Sequence, residues 1–264
     1  MVIITILMEH LQSNTFSSFF NGQKLISLKR VSSTNDYLKQ ELSKSTPFPE
    51  GTVIMAEEQF MGRGQVGSRW EGEPGKNLTF SLLLRPDFLP AHQQFQLNIA
   101  ISSAIHRVLS SFLGGATKVK WPNDILVGDR KLGGILIENS VQGTHIRESV
   151  VGIGINVNQT DYHYAPRACS IRQLLHREYI ITDLLYDLCG SIEQSYRQLK
   201  AFDFLAQKQY YIAHLYGLGQ NKTFRQQNNE RIGSITGVDP QGRLIIRFGE
   251  DTETFAFKEI EMLY

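Results

Sequence analysis

A glycine-rich stretch, GRGQVGSRW at residues 62–70, has the residue types and spacing to bind an anion. Its three glycines match G-x-G-x-x-G, the pattern of dinucleotide-binding loops, in which the third glycine opens a helix whose amino end faces the pyrophosphate. The residues that follow, SRWEGEPGKN (68–77), contain two further glycines and a proline, which do not propagate a helix. The pattern therefore does not predict a dinucleotide-binding fold.

Two arginines in this stretch, Arg63 and Arg69, keep an anion-binding function open. Unhindered backbone N–H groups and a guanidinium fork both converge on phosphate or carboxylate oxygens. The chain carries 27 basic and 26 acidic residues, so no global field attracts DNA or an anionic membrane. An anionic ligand must be held by local charges, and the alternative for the two arginines is a solvated loop.

Three more stretches place polar residues beside glycine or proline: KWPNDILV (120–127), RKLGGILIE (130–138) and GIGINVN (152–158). Asn123 and Asp124 can serve a nucleotide, a magnesium ion or a proton transfer, and an Asx turn is the alternative. The sequence contains no G-x-S-x-G, no H-E-x-x-H and no cysteine–histidine pairing typical of a nucleophile. These motifs therefore do not indicate a protein nucleophile.

The elements that position these stretches are predicted from periodicity. Apolar residues repeat at three and four positions over 97–112 and 184–199, which predicts two helices, the second capped by Thr182; a shorter helix follows Ser33. Runs rich in β-branched residues predict strands at KLISLKRV, GTVIMAE, NLTFSLLL, KVKWPNDILV, GGILIE and SVVGIGINV. Because strands and helices do not alternate regularly, we expect an α+β fold with a mixed or antiparallel sheet packed by helices.

The carboxyl-terminal region differs in composition from the rest of the chain. After GLGQN (217–221) the sequence shows short alternating strands joined by DPQG and FGEDTE turns, which is typical of a small β-barrel. We predict one domain over residues 1–218 and a β-domain over residues 219–264. The opening MVIITILM is too short to span a membrane and lacks the features of a signal peptide, so it is interpreted as a first strand or a frayed end.

The two cysteines, Cys169 and Cys189, show neither metal-ligand spacing nor a disulfide framework. We predict that both are reduced structural thiols, which is typical of a cytoplasmic protein. With 264 residues, of which 41% are hydrophobic and 20% charged, the chain can bury one large core and a small accessory domain.

Taken in order, SSTN (32–35), GRGQVGSRW, KWPNDILV, RKLGGILIE and GIGINVN closely resemble the motifs of the biotin protein ligases, also called biotin-[acetyl-CoA-carboxylase] ligases. The resemblance implies a class II synthetase-like catalytic domain of the biotin/lipoate ligase type, followed by an SH3-like β-barrel. It also implies a two-step reaction that uses ATP and Mg²⁺. The biotin carboxylate attacks the α-phosphate of ATP to give biotinyl-5'-AMP and pyrophosphate, and a lysine of a biotin carboxyl carrier protein then displaces AMP.

The resemblance also implies roles for individual residues. Lys131, Arg63 and Asp124 are expected to be catalytic, with Asp124 either binding Mg²⁺ or assisting deprotonation of the incoming lysine. The residues expected to bind biotin are Ser33, Thr34, Asn35, Gln59, Gly62, Arg63, Gly64, Gln65, Lys131, Gly133 and Gly134. The residues expected to bind ATP or the adenylate are Arg63, Arg69, Trp70, Lys120, Asn123, Lys131 and Asn156.

Structural alternatives exist for several of these side chains. Lys120 and Arg69 can be solvated surface residues, and Trp70 can be a core tryptophan. Ser33 can cap a helix through one lone pair while its hydroxyl proton remains available to a ligand. Glu259, in FKEIEML, resembles a family position that faces the catalytic domain.

The chain departs from the family pattern in two places. Gln65 and Ser68 stand where the glycine loop commonly has arginines, so retention of the adenylate is expected to rest more on the remaining cations. Only about 30 residues precede SSTN, too few for the winged helix-turn-helix repressor that some members carry, so we expect no DNA binding and no membrane association. The oligomeric state stays open. The rival functions are a lipoate or octanoate ligase and a non-enzymatic module that binds biotin or a nucleotide.

Overall fold

The computed structural model of the protein describes residues 15–16, 23–44, 48–65, 67–162 and 165–263. These ranges contain five α-helices and thirteen strands, arranged in two sheets. The helices are α1 (Thr34–Leu42), α2 (Phe95–Leu113), α3 (Ile171–Leu175), α4 (Ile181–Lys200) and α5 (Phe204–Ala213). The strands are β1 (Thr15–Phe16), β2 (Gln23–Val31), β3 (Val53–Gln59), β4 (Asn77–Leu84), β5 (Thr117–Lys120), β6 (Asp124–Val127), β7 (Arg130–Gln142), β8 (His145–Asn156), β9 (Asn221–Gln226), β10 (Asn229–Val238), β11 (Leu244–Phe248), β12 (Asp251–Phe255) and β13 (Glu261–Met262).

The larger sheet is mixed, which confirms the α+β architecture. Its order over the described strands is β1-β2-β3-β4-β8-β7-β6-β5. Strands β2 and β3 run parallel, because α1 carries the chain back between them, and the other described neighbours are antiparallel. The smaller sheet, ordered β12-β11-β10-β9-β13, is antiparallel throughout the described residues.

Helices cover the two faces of the large sheet unequally. On one face α2 packs against α4 and α5, and its apolar residues join the main core, which includes the fully buried Phe80 of β4. On the other face α1 buries Leu38 against Ile54, Leu83 and Val150 in a small separate cluster. Gly152 of β8 opens onto this second face, because a Cβ there would meet Asn35 of α1.

Glycines create a depression in the second face. Gly134 of β7 pairs with Gly154 of β8, and Leu136 pairs with Gly152 in the next row. Side chains on alternate residues of a strand share a face, so the three glycines open space on one side of the sheet. That space is where the site forms.

The two sheets share one connector. Leu215 forms a bridge with Val119 of β5, and Leu218 forms a bridge with Ile235 of β10. Trp121, just beyond β5, donates its indole N–H to the carbonyl of Gly242 at 2.8 Å. The small sheet is therefore held against the stretch that contains the KWPND motif.

Several details correct the sequence predictions. KVKWPNDILV forms two strands, β5 and β6, because a turn occupies residues 121–123. Thr182 lies inside α4, whose N-cap is Ile180 without a side-chain cap, whereas Ser33 does cap α1 by accepting from Asp36 N. Helices α3 and α5 were not predicted. The stretch MVIITILM lies outside the described residues, and no described helix is long and apolar enough to cross a membrane.

Candidate active site

A cavity of about 450 Å³ lies against the glycine depression, and most of the predicted site residues line it. The glycine loop and the small sheet contribute the remaining walls. The predicted residues that line the cavity are Ser33, Thr34, Asn35, Gln59, Arg63, Gly64, Gln65, Arg69, Trp70, Lys120, Asn123, Asp124, Lys131 and Gly134.

A network of uncharged polar side chains, which we call the polar floor (Thr34, Asn35, Gln59 and Ser81), lies at the start of α1. Thr34 N donates to Gln59 Oε1 at 2.7 Å, and Ser81 Oγ donates to Asn35 Oδ1 at 2.5 Å and lies 2.7 Å from Thr34 Oγ1. Ser81 is fully buried, and Thr34 and Asn35 are each 3% exposed. A Cβ at Gly152 would lie 2.5 Å from Asn35 Oδ1, so glycine is required for Asn35 to approach the sheet.

The glycine loop is a small hairpin, and no helix follows it in the described residues up to β4. Trp70 N donates to Gly62 O at 3.0 Å, and Gly64 N donates to Ser68 O at 2.9 Å. Arg63 and Arg69 form the bridge between these two pairs. In such a non-hydrogen-bonded antiparallel pair the side chains start close together on one face, so the hairpin places both arginine side chains on the same face.

The two hairpin arginines differ in their partners. Arg63 Nη2 lies 2.8 Å from Glu138 Oε2 and 2.7 Å from Asp36 Oδ1. Lys39 Nζ contacts the same two carboxylates, at 2.8 Å from Glu138 Oε1 and 3.1 Å from Asp36 Oδ1. Arg69 is exposed and forms no ion pair or hydrogen bond with the described residues.

These contacts stabilise the ionised form of Glu138. Burial alone would raise the pKa of the Glu138 carboxyl, but hydrogen bonds from Lys39, Asn35 and Arg63 outweigh burial and hold the pKa below its ordinary value. Asn35 Nδ2 donates to Glu138 Oε2 at 2.8 Å. The carboxylate therefore joins the polar floor to the hairpin.

Trp70 lies over the glycine depression. A Cβ at Gly154 would lie 2.6 Å from the Trp70 ring, so this packing depends on glycine. The indole Nε1 of Trp70 and the Oε1 atom of Gln65 are buried without a hydrogen-bond partner in the described residues. Two unpaired polar atoms in the wall of one cavity are typical of a ligand site.

Lys131 and Asp124 form an ion pair in the cavity wall, with Nζ 2.7 Å from Oδ1. The backbone of Lys131 is fixed on both sides, because its N–H donates to Arg167 O at 2.7 Å and its carbonyl accepts from Cys169 N at 2.9 Å. Its side chain is 43% exposed and can still move toward a ligand. Asn123 is buried and donates its side-chain amide to Ile135 O.

Lys120 approaches the cavity from the end of β5. Burial lowers the pKa of Lys120, and Arg167 adds to this effect, while Asp124 and Glu261 act in the opposite direction. Glu261 belongs to the small sheet and also lines the cavity.

Three predicted residues do not line the cavity. Gly62 supports the hairpin through its hydrogen bond with Trp70, and Gly133 lies closely packed on β8, where a Cβ would lie 2.6 Å from Gly154 O. Asn156 is 4% exposed, and its Nδ2 lies 3.5 Å from Lys131 O. The Asn156 side chain thus contacts the backbone of Lys131 and does not line the cavity.

Sequence reasoning missed several residues of the site. Glu138 could have been found from the sequence, because residues 134, 136 and 138 alternate along β7. Glu138 therefore lies on the same face of the sheet as Gly134 and Leu136. No sequence pattern indicated Ser81, since it stands inside the apolar run NLTFSLLL. The small sheet also contributes wall residues, Phe224, Ile235, Leu244, Phe257, Lys258, Ile260, Glu261 and Met262.

Glu259 does not line the cavity. It is exposed and accepts a hydrogen bond from Ala256 N at 2.7 Å. Its neighbours Lys258 and Ile260 line the wall instead.

Comparisons with known proteins agree with this geometry. Residues 27–156 match the model of the biotin/lipoate A/B protein ligase family. The chain is 30% identical over 245 residues to the bifunctional ligase/repressor BirA of Bacillus spizizenii, covering 91% of this chain and 74% of that protein. It is 31% identical over 228 residues to a biotin-[acetyl-CoA-carboxylase] ligase of Paracoccus denitrificans, covering 83% and 92%.

A solved structure extends the similarity over both sheets. The biotin protein ligase from Aquifex aeolicus in complex with biotin and ATP superposes with a TM-score of 0.76 at 25% identity, covering 90% of this chain and 98% of that one. The order of the motifs, the mixed sheet and the similarity over most of the length agree with one another. The chain therefore belongs to the biotin/lipoate A/B protein ligase family.

Proposed function

We propose that this chain is an ATP-dependent biotin protein ligase, which forms biotinyl-5'-AMP and transfers biotin to a lysine of a biotin carboxyl carrier protein. The observation that carries the proposal is one cavity whose wall combines Thr34, Asn35 and Gln59 of the polar floor with four cations, Arg63, Arg69, Lys120 and Lys131. Biotin has an uncharged bicyclic head, and its carboxylate must meet a phosphate. The cavity volume lies within the range of small-molecule sites.

In the first step, a biotin carboxylate oxygen attacks the α-phosphorus of ATP, and the bond from that phosphorus to the leaving pyrophosphate breaks. Two anions must approach, so the barrier falls where cations are already in place. Lys131 and Arg63 carry this role in the proposal, with Arg69 as the hairpin cation that forms no ion pair with the described residues. The polar floor orients the biotin head, and Trp70 closes the cavity over the depression.

In the second step, the amine of a carrier lysine attacks the acyl carbon, and the bond to the AMP oxygen breaks. The incoming ammonium must lose a proton before it attacks. We assign this role to Asp124 because it lines the cavity beside Lys131, whose Nζ lies 2.7 Å from Asp124 Oδ1. Aspartate is a weak base, so its contribution would depend on contact with the incoming amine.

Asp124 is also the residue that would help to hold Mg²⁺. The described residues contain no group of three or more histidine, cysteine, aspartate or glutamate side chains able to hold a metal. Mg²⁺ in nucleotide sites is usually held by one or two carboxylates together with phosphates and water, so a single carboxylate fits that ion. The ion would neutralise phosphate charge. Comparing Asp124→Asn with the parent protein for Mg²⁺ dependence and for transfer from added biotinyl-5'-AMP separates the two roles.

The proposal extends to the domain organisation. We infer a catalytic domain over 1–218 and an SH3-like β-domain over 219–264, supported by the change from helices and mixed sheet to antiparallel strands after the connector at 215–218. The small sheet supplies one wall of the cavity, so it takes part in the site. We also propose a cytoplasmic location, supported by two buried free thiols, Cys169 and Cys189.

The deciding experiment gives the protein ATP, Mg²⁺, a biotin carboxyl carrier domain and either biotin or octanoate, and then measures the mass of the carrier. We expect a mass increase with biotin only. Modification by octanoate alone would replace the proposal with a lipoate-type ligase. Ligand binding without any modification would favour a non-enzymatic binding module.

A further inference from the structure

Two acidic residues, Glu138 and Asp36, surround one hairpin arginine and not the other. Like charges directly opposite each other in an antiparallel pair repel, and Arg63 and Arg69 are such a pair. Only Arg63 has counter-charges in the described residues, from β7 and from α1. The asymmetry assigns different tasks to two otherwise similar side chains.

The contacts of Arg63 use one corner of its guanidinium group. All of its carboxylate contacts run through Nη2, to Glu138 Oε1 at 3.0 Å, Glu138 Oε2 at 2.8 Å and Asp36 Oδ1 at 2.7 Å. Its Nε and Nη1 atoms have no partner among the described residues. A guanidinium held at one corner keeps donors for a second anion on its other edge.

Glu138 is itself held in place. Its Oε1 atom also accepts from Lys39 Nζ at 2.8 Å, and its Oε2 atom accepts from Asn35 Nδ2 at 2.8 Å. Its side chain is 26% exposed, less than the side chains of Arg63 and Asp36 at 40% and 43%. The carboxylate is therefore the more rigid member of the pair, and Arg63 is the member that it fixes.

We propose that Glu138, assisted by Asp36, is a positioning residue that holds Arg63 by Nη2 and aims its remaining donors at the reacting carboxylate and phosphate. This inference rests on the proposed function, because it assigns Arg63 to the adenylation step. The two cations and two carboxylates of the cluster cancel in charge, so the cluster sets geometry without adding net charge to the site.

Because the cluster has no net charge, a charge effect and a positioning effect predict opposite changes in the adenylation rate of Glu138→Gln. Replacing Glu138 with glutamine leaves one excess positive charge near an anionic substrate. If the cluster acted only through charge, Glu138→Gln would strengthen substrate binding and speed adenylation. If Glu138 positions Arg63, the same variant slows adenylation despite the more favourable charge.

The experiment measures pyrophosphate release with biotin and MgATP, and separately biotin transfer from added biotinyl-5'-AMP. We expect Glu138→Gln to lower kcat for adenylation about 10-fold to 100-fold, the size expected for a misplaced reacting group, with a smaller change in the KM for biotin. Asp36→Asn should lower it less. Arg63→Ala and Arg63→Ala/Glu138→Gln should have equal rates, because Glu138 acts through Arg63.

The matched control is Glu58→Gln. Glu58 lies on β3 just before the hairpin and pairs with Arg30 at 3.0 Å, away from the cavity wall. Glu58→Gln makes the same glutamate-to-glutamine change in a different glutamate–arginine pair, and the rate of adenylation should be unaffected. Thermal unfolding checks folding, and if Glu138→Gln fails to fold, Asp36→Asn tests the same arginine from an exposed position.

Adenylation by Glu138→Gln at the parent rate or faster would overturn the inference, as would a double variant slowed by the product of the two single effects. Where Asp36→Asn stands in for Glu138→Gln, an unchanged rate has the same meaning. A parent protein that releases no pyrophosphate from biotin and ATP would overturn the proposed function and this inference together. If the parent protein releases pyrophosphate and Glu138→Gln releases it at the same rate, only the inference is overturned and the proposed function stands.

Discussion

The polar floor and the glycine hairpin face the same cavity but are held by different forces. Floor residues Thr34 and Asn35 are 3% exposed and linked by neutral hydrogen bonds to buried Ser81. In the hairpin, Arg63 is 40% exposed and is held by ion pairs in contact with water. Exposed ion pairs contribute little to folding stability, whereas a buried polar group left unpaired is costly.

The difference separates folding from catalysis within one site. The floor forms as part of the sheet and α1, so its geometry exists before a ligand arrives. The hairpin side chains carry the positive charge that two anionic substrates require. These cations contribute little to folding stability, so they remain available to interact with the substrates. Changes in the floor should therefore affect stability and biotin binding together, and changes in the hairpin should affect ligand binding and catalysis with little change in stability.

The largest effect is expected in the hairpin. Arg63→Ala should lower kcat for adenylation about 100-fold to 1,000-fold, the usual effect of removing one preorganised donor to a developing charge. The melting temperature should stay within about 2 °C of the parent, because partly exposed ion pairs add little stability. Pyrophosphate release and thermal unfolding are the measurements. A variant that loses stability in proportion to activity would break the separation between floor and hairpin.

A smaller but substantial effect is expected where the hairpin packs on the glycine depression. Gly154→Ala places a methyl group 2.6 Å from the Trp70 ring, which must move away from the sheet. We expect the KM for ATP to rise about 10-fold, because the cavity loses its closing contact. Gly115→Ala is the control, since a Cβ there meets nothing within 4 Å and its backbone is not in the left-handed region. An unchanged KM in Gly154→Ala would show that Trp70 is not a ligand contact.

A floor substitution should change stability as well as binding. Ser81→Ala leaves the buried Oδ1 atom of Asn35 without its donor, which costs about 1–3 kcal/mol. The free energy of unfolding should fall by that amount, and the KM for biotin should rise several-fold while kcat stays near the parent value. Denaturant unfolding and biotin titration measure the two effects. A changed kcat with unchanged stability would contradict the proposed division.

The smallest effect is expected at the hairpin tip. Gln65→Arg restores a cation that the family pattern commonly has, and we expect it to slow release of biotinyl-5'-AMP a few-fold, since one exposed charge contact is worth about 0.2–1 kcal/mol. Release is followed by trapping free adenylate after a single turnover. If the variant changes neither release nor turnover, position 65 is unimportant in this protein.

Much of the site was predictable because its residues lie in short contiguous motifs. SSTN, KWPND and RKLGG placed Thr34, Asn123 and Lys131 in one cavity, as the structure has them. Their binding roles stay predictions. Asn156 lies outside the cavity wall, with its Nδ2 atom 3.5 Å from Lys131 O, and its expected role at the adenylate also stays a prediction.

Residues contributed by separate elements were not predictable. Ser81 reads as one polar residue in an apolar run, and it belongs to the site only because β4 pairs with β8 beneath α1. The cavity wall from the small sheet depends on the contact of Trp121 with Gly242, which are 121 positions apart. No local pattern contains such a contact.

The sequence by itself determined the class of fold, the glycine loop, the cations and the order of the motifs, because propensity, turn chemistry and charge are local properties. It also excluded a helix after the glycine loop, and hence a dinucleotide site. Only the tertiary structure decided which arginine is restrained, since β7, α1 and the hairpin meet at Arg63, whereas Arg69 has no counter-charge within the described part of the chain. Electrostatic pairing depends on distance in space, and the fold alone sets that distance.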